Sequence, residues 1–192
     1  MRVSGVDEDA VLRAAAEERG GLEPVDAVLV LARAKAEEVV RGLADEVDAA
    51  AGSGLLVGCD SMLELDGEVL GKPAHADDAR ARWQAMRGRA GVLHTGHWLV
   101  DLRPAAAGGT GASVGATSST TVHFADLSDA EIDAYVATGE PLHVAGAFTV
   151  DGLGGPYVER IEGDHHGVVG ISLPLLRTLL GTVHVAWHEL RD

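Results

Sequence analysis

Hydrophobic positions recur every three or four residues in several stretches of the chain, which is the spacing of amphipathic helices. In one stretch Leu31 and Lys35 are four residues apart, so they share one helix face. In a later stretch Ser128 and Glu131 have the spacing of a capping box, which marks the start of a helix. The pattern predicts helices over residues 9–18, from Pro24 onward, over 77–86, over 128–138 and, shortly, from Pro174.

Other stretches are continuously apolar over a short length or alternate with a period of two, which is typical of strands. Leu55 opens a buried strand, and Thr95, His97 and Leu99 alternate along one face of another. The low-complexity residues 104–119, rich in Gly, Ala and Ser, are predicted to form a flexible loop between two strands. Strands are predicted from Leu55 and over residues 92–102, 120–124 and 182–188. Because strands and helices interleave, the pattern favours an α/β fold with a mixed sheet.

The length allows one sizeable domain or two small lobes sharing a core, and we expect a single domain over residues 1–192. The composition is that of a packed globule, because 46% of the residues are hydrophobic and the mean hydropathy is +0.11. Thirty acidic against fifteen basic side chains give a formal charge of −15, which argues against a nucleic-acid polymer as partner. No apolar stretch approaches the roughly 20 residues that cross a bilayer, so no membrane association is expected. The polar, acidic start of the chain is unlike a secretory signal, and we expect a cytoplasmic location.

Residues 55–73, LLVGCDSMLELDGEVLGKP, have the pattern of a β-hairpin that carries charge. Asp66 and Gly67 form a dipeptide that strongly favours a two-residue turn between paired strands. Counting outward from this turn predicts the cross-strand pairs Leu65 with Glu68, Leu63 with Leu70, and Ser61 with Lys72.

The same hairpin brings the chain back from Asp60 to Lys72. Strict alternation places the two side chains on opposite faces, so a contact requires a bulge or bend near Gly58 or Gly71. Beside an ammonium group the carboxylate would stay ionised at neutral pH, able to bind a metal or to accept a proton from an attacking water. Lys72 would then be able to neutralise a phosphate oxygen. An ordinary ion pair at the end of a sheet explains the same spacing equally well.

Several apparent motifs do not fit their context. Residues 111–115 match G-x-S-x-G, but a nucleophile elbow needs a strand before it and a helix after it, and these residues fall in the predicted loop. Residues 67–72 are one residue shorter than a P-loop and lack the Ser or Thr that follows its lysine. The single cysteine, Cys59, excludes an internal disulfide and a Cys-based zinc site, and a small buried residue is a better interpretation of it than a nucleophile. The histidines are interpreted as surface or packing residues.

Four blocks of the sequence resemble one known family, the Maf-like nucleotide pyrophosphatases. The resemblance extends over nearly the whole chain and includes Val6-Asp7-Glu8 near its start. In chain order the blocks are LARAKAEEV, GCDSMLELDGEVLGKP, LSDAEIDAYVATGEPLHVAGAF and VERIEGDHHGVVGISLPLL.

The resemblance implies a fold and a reaction. The fold is an α/β arrangement in which a curved mixed sheet with flanking helices forms a cleft between two lobes. The reaction is hydrolysis of a nucleoside triphosphate to a nucleoside monophosphate and pyrophosphate, with a divalent cation, Mg or Mn, as cofactor. The family also implies that the protein can form a homodimer.

The resemblance also implies roles for individual residues. Asp60 is expected to accept the proton of the attacking water, and Glu8 and Asp60 to hold the metal. Lys35 and Lys72 are expected to bind phosphate. Ser61 and Asp151 complete the expected contacts with the substrate.

Three departures from the family pattern bear on these expectations. The family's N-terminal S-x-S-P-R-R segment, which holds the triphosphate, does not occur, so the chain is N-terminally short relative to the pattern. Either the natural protein is longer, or this form is a catalytically impaired nucleotide-binding or regulatory protein linked to cell division. Ser61 stands where Thr is common and keeps the hydroxyl. Asp151 stands where pyrimidine-selective members have Gln, so no preferred nucleobase is predicted.

Overall fold

The computed structural model describes residues 4–44 and 54–190. Its helices are α1 Glu8–Arg19, α2 Pro24–Ala44, α3 Ala76–Met86, α4 Asp129–Ala137, α5 His165–Val169 and α6 Leu173–Thr182. Its strands are β1 Leu55–Leu65, β2 Glu68–Leu70, β3 Ala90–Asp101, β4 Ser113–Phe124 and β5 Val158–Glu162. Short 3₁₀ helices cover Ala105–Ala107, Glu140–His143, Ala145–Ala147, Gly155–Tyr157 and Trp187–Leu190.

The main helices begin where the sequence predicts, at residues that can cap them. The predicted capping box is confirmed at α4: the Glu131 amide donates to the Ser128 hydroxyl, and the Ser128 amide donates to the Glu131 carboxylate at 2.8 Å. At α1 the Asp7 carboxylate accepts the Ala10 amide at 3.0 Å, which fixes the first turn and therefore Glu8. Of the helices in the described ranges, none combines the length and the apolar character that crossing a bilayer requires.

The strands form one open sheet of five strands in the order β2-β1-β3-β4-β5, with helices flanking it. The predicted α/β class is therefore confirmed. The strand directions differ from the prediction, because the sheet is antiparallel and not mixed. β2 and β3, which α3 connects, run in the same direction but lie on opposite sides of β1, so they do not pair. Neighbouring strands thus stay antiparallel even where a helix separates them in sequence.

The predicted hairpin between β1 and β2 is confirmed in its register for two of the three predicted pairs. The third, Ser61 with Lys72, is not a strand pair because β2 ends at Leu70. Leu63 pairs with Leu70 and Leu65 with Glu68, as counting outward from the turn requires. The two turn residues have positive φ angles of 55° and 83°, the left-handed conformation that an Asp-Gly pair adopts at low cost. A local turn signal was sufficient to fix this pairing.

The predicted loop over residues 104–119 is corrected in its second half, because residues 113–119 belong to β4. The small residues give this strand the composition of a loop, and for one of them the neighbouring strand supplies a reason. A Cβ added at Gly115 would lie 2.3 Å from the Cε3 atom of Trp98 on the adjacent strand β3. The glycine at this position therefore reflects close packing against a large indole ring.

The predicted strand over residues 182–188 is wrong, because α6 extends to the start of this segment and a 3₁₀ helix follows. Between the two the chain turns, with His184 in the left-handed region at φ 59°. Val183 and Val185 are both buried. Their alternation, which resembled that of a strand, comes from a turn that packs two valines against the interior after the helix ends.

The described residues fall into two compact units. The first contains residues 4–44, 54–60, 96–118 and 173–190. Its interior is formed by apolar side chains of α2, β3 and α6 and of the turn that follows α6. The fully or nearly fully buried ones are Val28, Leu31, Ala32, Ala36, Leu99, Leu180 and Val183.

The second unit contains residues 61–95 and 119–172 and has an aromatic core. The indole of Trp83 on α3 packs edge-to-face against three rings, those of Phe124, Tyr135 and Tyr157, with centroid separations of 5.5 to 5.9 Å. The indole N–H donates to the Ala147 carbonyl at 2.8 Å, so its one polar atom is satisfied. This core fixes α3 and α4 relative to the strands of the same unit. The single domain over residues 1–192 stays a prediction.

Candidate active site

Close packing of α2 on β1 brings the first predicted site residues together. A Cβ added at Gly58 on β1 would lie 2.4 Å from the Ala32 carbonyl oxygen and 2.9 Å from the Ala36 Cβ, both on α2. Only glycine allows this approach of the two backbones. Two residues after Gly58 the strand carries Asp60, and Lys35 lies on α2 between the two alanines in sequence. The approach therefore sets the distance between carboxylate and ammonium.

Lys35 lies between two carboxylates, and we call Glu8, Lys35 and Asp60 the lysine cluster. The Lys35 Nζ atom is 2.5 Å from Asp60 Oδ1 and 2.8 Å from Glu8 Oε1. The Asp60 side chain is 10% exposed and that of Glu8 46%, so the cluster runs from a buried carboxylate to one in contact with solvent. A single ammonium thus joins α1, α2 and β1 in the first unit.

The charges of the cluster reinforce one another. Burial acts to lower the pKa of Lys35, but its hydrogen bonds and charge interactions with Asp60 and Glu8 outweigh burial and raise the pKa above that of an ordinary lysine. Lys35 is therefore a permanent cation at physiological pH and not a base. The group in the cluster that can accept a proton is a carboxylate.

Cys59, the residue next to Asp60, is not activated as a nucleophile. Burial and, secondly, the negative charge of Asp60 raise the pKa of the thiol to about 11. At neutral pH the side chain is therefore a protonated thiol, which is a poor attacking group. This agrees with the interpretation of Cys59 as a structural residue.

The lysine cluster fits a divalent cation that is held mainly by its substrate. Within residues 4–44 and 54–190, no group of three or more His, Cys, Asp or Glu side chains is arranged to hold a metal ion. Mg²⁺ at phosphate-transfer sites takes only one or two carboxylates from the protein and fills its other positions with water and phosphate oxygens. Glu8 and Asp60 supply two such oxygen donors around one point.

The other predicted site residues, Lys72, Ser61 and Asp151, belong to the second unit. Lys72 follows the end of β2 at Leu70, outside the paired part of the hairpin. Its predicted contact with Asp60 stays a prediction. Within the first unit Asp60 accepts a hydrogen bond from Lys35, which lies on a helix 25 residues earlier in the chain.

The Ser61 hydroxyl is part of a hydrogen-bond chain in the second unit. It lies 2.9 Å from the Thr95 hydroxyl on β3, and Thr95 donates onward to the Gly167 carbonyl of α5 at 2.8 Å. Since a hydroxyl has one proton, Ser61 acts as the donor to Thr95 when Thr95 donates to Gly167. These contacts tie β1, β3 and α5 together, and the role of Ser61 in substrate binding stays a prediction.

Asp151 is exposed on a loop that one carboxylate holds in place. Glu140 accepts hydrogen bonds from the Tyr135 hydroxyl at 2.8 Å, the Thr149 hydroxyl at 2.7 Å and two backbone amides, those of Leu153 and Gly154. Burial acts to raise the pKa of Glu140, but these donors lower it to about 2. The sequence analysis missed this residue, since its partners lie up to 14 positions away.

The sequence of the chain, which includes Glu8, Lys35 and Asp60, is similar to those of known proteins. A family model described as "Maf-like protein" matches residues 1–183. The chain belongs to the Maf-like protein family. The predicted resemblance is therefore confirmed, and the match includes all six residues that the sequence singled out for the site.

Curated relatives of this Maf-like chain share one name, "Nucleoside triphosphate pyrophosphatase". The relative from Leifsonia xyli is 52% identical over 189 residues, which cover 97% of this chain and 84% of that protein. The relative from Salinispora tropica is 54% identical over 183 residues, 95% of this chain and 74% of that protein. The relative from Streptomyces coelicolor is 50% identical over 188 residues, 98% of this chain and 82% of that protein.

Proposed function

We propose that this protein is a nucleoside triphosphate pyrophosphatase, which hydrolyses a nucleoside triphosphate to a nucleoside monophosphate and pyrophosphate. The observation that carries the proposal is the lysine cluster, found in a chain whose relatives with 50–54% identity bear that name. Hydrolysis of a phosphate anhydride needs an acceptor for the proton of water and positive charge near the phosphate oxygens. Asp60 and Lys35 supply one of each at 2.5 Å from one another.

Asp60 acts as the proton acceptor in this proposal. Its side chain is 10% exposed, so few waters compete for its oxygens, and the Lys35 ammonium lies 2.5 Å from its Oδ1 atom. A water that donates a hydrogen bond to a carboxylate oxygen keeps its own lone pairs for another group. A water bound to Asp60 is therefore oriented with its own lone pairs toward the substrate.

Lys35 binds the phosphate chain while it remains in contact with the two carboxylates. An ammonium group has three N–H donors, and Glu8 and Asp60 accept two of them. The remaining donor is available for a phosphate oxygen. Because the raised pKa of Lys35 keeps the group charged, this contact persists over the whole physiological pH range.

A divalent cation, Mg or Mn, is the proposed cofactor, with Glu8 and Asp60 as the residues that would hold it. When bound, such an ion neutralises charge on the phosphate oxygens and polarises the phosphorus centre. Lys72, Ser61 and Asp151 are the proposed substrate contacts of the second unit, with Lys72 on a phosphate. A homodimer also remains a proposal, and light scattering of the purified protein measures it.

The experiment is a product analysis with a panel of nucleoside triphosphates. The purified protein is incubated with each nucleotide and Mg²⁺, Mn²⁺ or excess chelator, and the products are separated by ion-exchange chromatography. We expect equal amounts of nucleoside monophosphate and pyrophosphate, with release abolished by the chelator. Nucleoside diphosphate with orthophosphate would contradict the proposed bond cleavage. Pyrophosphate release in excess chelator would contradict the proposed metal cofactor but not the proposed bond cleavage.

A further inference from the structure

Lys72 lies in a segment that strand pairing does not hold. β2 ends at Leu70 and α3 begins at Ala76, so residues 71–75 have no partner strand. A lysine on an irregular segment would lose much side-chain and backbone entropy on binding a phosphate. The backbone around Lys72 is nevertheless fixed, and an arginine on α3 fixes it.

Arg82 on α3 reaches back to the segment and donates to two successive carbonyls. Its Nη1 atom is 2.6 Å from the Gly71 carbonyl oxygen, and its Nη2 atom is 3.4 Å from the Lys72 carbonyl oxygen. The Gly71 carbonyl also accepts the Gly146 amide at 3.1 Å. The guanidinium thus holds the main chain on which the Lys72 side chain stands, through hydrogen bonds to its carbonyls.

Asp78, one turn before Arg82 on the same helix, holds the guanidinium and the far end of the segment. Arg82 Nε donates to Asp78 Oδ1 at 3.0 Å, and Arg82 Nη2 donates to Asp78 Oδ2 at 2.9 Å. Asp78 Oδ2 also accepts the Ala74 amide at 2.8 Å. The Arg82 side chain is 17% exposed and the Asp78 side chain 29%, so solvent competes only partly for these bonds. The pair therefore grips residues 71–74 at both ends.

We propose that Arg82 and Asp78 are positioning residues, which hold the backbone of Gly71–Ala74 so that Lys72 is preorganised for a phosphate of the substrate. This inference rests on the proposed function. The geometry requires arginine: its rigid fork serves two carbonyls and a carboxylate at once, and a lysine at this position would serve them only in turn. A displacement of about 1 Å in such a group costs on the order of a hundredfold in rate.

The helix offers a matched control in Arg80. Its guanidinium pairs with Asp77 at 2.8 Å and with Asp133 of α4 at 2.5 Å, and it makes no contact with residues 71–74 within the described hydrogen bonds. Arg80→Lys changes the same residue type on the same helix. We expect Arg82→Lys to lower kcat/KM for the nucleotide by about ten- to hundredfold. Arg80→Lys is expected to stay near the wild-type value.

A double-mutant cycle with Lys72→Met distinguishes positioning from general loosening of the fold. If Arg82 acts through Lys72, Arg82→Lys costs little in the Lys72→Met background, because the group that it positions is already absent. Equal losses from Arg82→Lys in both backgrounds would overturn the inference. Should Arg82→Lys fail to fold, Asp78→Asn takes its place with Asp77→Asn as control, since it loosens the guanidinium and keeps the charge of Arg82.

The activity of the wild-type protein distinguishes a failure of the proposed function from a failure of the positioning role of Arg82. Pyrophosphate release by the wild type, with Arg82→Lys and Arg80→Lys equally active, would leave the proposed function standing and overturn the positioning role. No pyrophosphate release by the wild type from any nucleotide would overturn both. Selective loss in Arg82→Lys, abolished in the Lys72→Met background, is the result that we expect.

Discussion

At the scale of single residues, the lysine cluster depends on the positive charge that lies between two carboxylates. Glu8 and Asp60 converge on one ammonium at 2.8 and 2.5 Å, in the first unit. Two carboxylates at such a distance repel each other unless a cation separates them. Lys35 is that cation in the structure, and the proposed divalent metal would add positive charge at the same two carboxylates.

Replacement of Lys35 by the unbranched Met tests this balance. We expect Lys35→Met to lower the free energy of unfolding by about 1–3 kcal/mol at neutral pH, because two carboxylates lose a charged hydrogen-bond donor. Added Mg²⁺ or Mn²⁺ should raise the Tm of Lys35→Met more than that of the wild type, since a divalent cation can replace the ammonium. Thermal unfolding with metal and with chelator measures both effects.

The control for that variant is Arg41→Met, which removes a charge from an exposed position in the last turn of the same helix. Its Tm should respond to metal as that of the wild type does. An equal metal response in Lys35→Met, Arg41→Met and the wild type would contradict the replacement of the Lys35 ammonium by the cation.

At the scale of elements, the glycine contact between α2 and β1 decides whether the lysine cluster forms. A Cβ at Gly58 would lie 2.4 Å from a backbone oxygen of α2, and backbone cannot rotate away as a side chain can. We expect Gly58→Ala to destabilise the protein by about 1–3 kcal/mol. It should also weaken metal-dependent activity, because α2 must move away from Asp60.

Gly42 provides the opposite case on the same helix. It lies within α2, and a Cβ there meets no atom of the described residues within 4 Å. Gly42→Ala should therefore stabilise the protein by about 0.4–1 kcal/mol through helix propensity and the unfolded state. Chemical denaturation of both variants measures the contrast. A Gly58→Ala protein as stable as Gly42→Ala would contradict the packing argument.

The stability of the native state should depend on pH through Glu140, whose carboxylate holds the loop that carries Asp151. The pKa of Glu140 is about 2 in the folded protein, below the roughly 4.3 of an unperturbed glutamate. A lowered folded pKa stabilises the native state fully above the unfolded pKa, and this stabilisation is lost as the pH falls from about 4.3 to about 2. Glu140→Gln should therefore be less stable than the wild type at pH 7, with the difference shrinking toward pH 2.

Unfolding by denaturant at several pH values measures that difference. Glu131→Gln is a suitable comparison, because the Glu131 carboxylate also has a lowered pKa but belongs to the capping box and touches no part of the Asp151 loop in the described hydrogen bonds. A Glu140→Gln protein with a pH-independent loss of stability would contradict the assignment of the low pKa.

Some of the helices and strands could be predicted from the sequence, and others could not. The β1–β2 register followed from a two-residue turn signal, and the start of α4 from a capping box, because both are set by local chemistry. The small residues of 113–119 predict a loop, whereas the structure places them in β4. Gly115 packs closely against Trp98 on another strand, which the sequence pattern does not show. The strand predicted over residues 182–188 failed for a similar reason: two valines pack after a helix without pairing.

The site was predictable to a similar degree. The family resemblance supplied Glu8, Lys35 and Asp60, but spacing alone assigned Lys72 as the partner of Asp60 because both lie on one hairpin. The contact of Asp60 with Lys35 depends on packing between elements 25 residues apart, which periodicity cannot specify. The Asp78–Arg82 pair has the i, i+4 spacing of a helix pair, so its existence was predictable, whereas its grip on residues 71–74 was not.

At the scale of the whole molecule, the formal charge of −15 opposes a polyanionic substrate. Long-range attraction therefore cannot bring in a nucleoside triphosphate, and at physiological ionic strength fields are screened beyond about 8 Å. Binding must come from cations at the site itself. In the proposed reaction this charge comes from Lys35, Lys72 and a divalent metal, whose fields act at contact distance.

Asp60 is the proposed proton acceptor for hydrolysis of a nucleoside triphosphate to monophosphate and pyrophosphate. The most direct test of this role is the rate of pyrophosphate release by Asp60→Asn beside that by Asp66→Asn, with saturating nucleotide and metal. Asp66 lies in the turn of the same hairpin at φ 55°, where Asn is equally well accommodated. We predict a loss of about 10²–10⁴-fold for Asp60→Asn and a wild-type rate for Asp66→Asn, both proteins being folded. A folded Asp60→Asn protein with the wild-type rate would contradict the role of Asp60 as the proton acceptor.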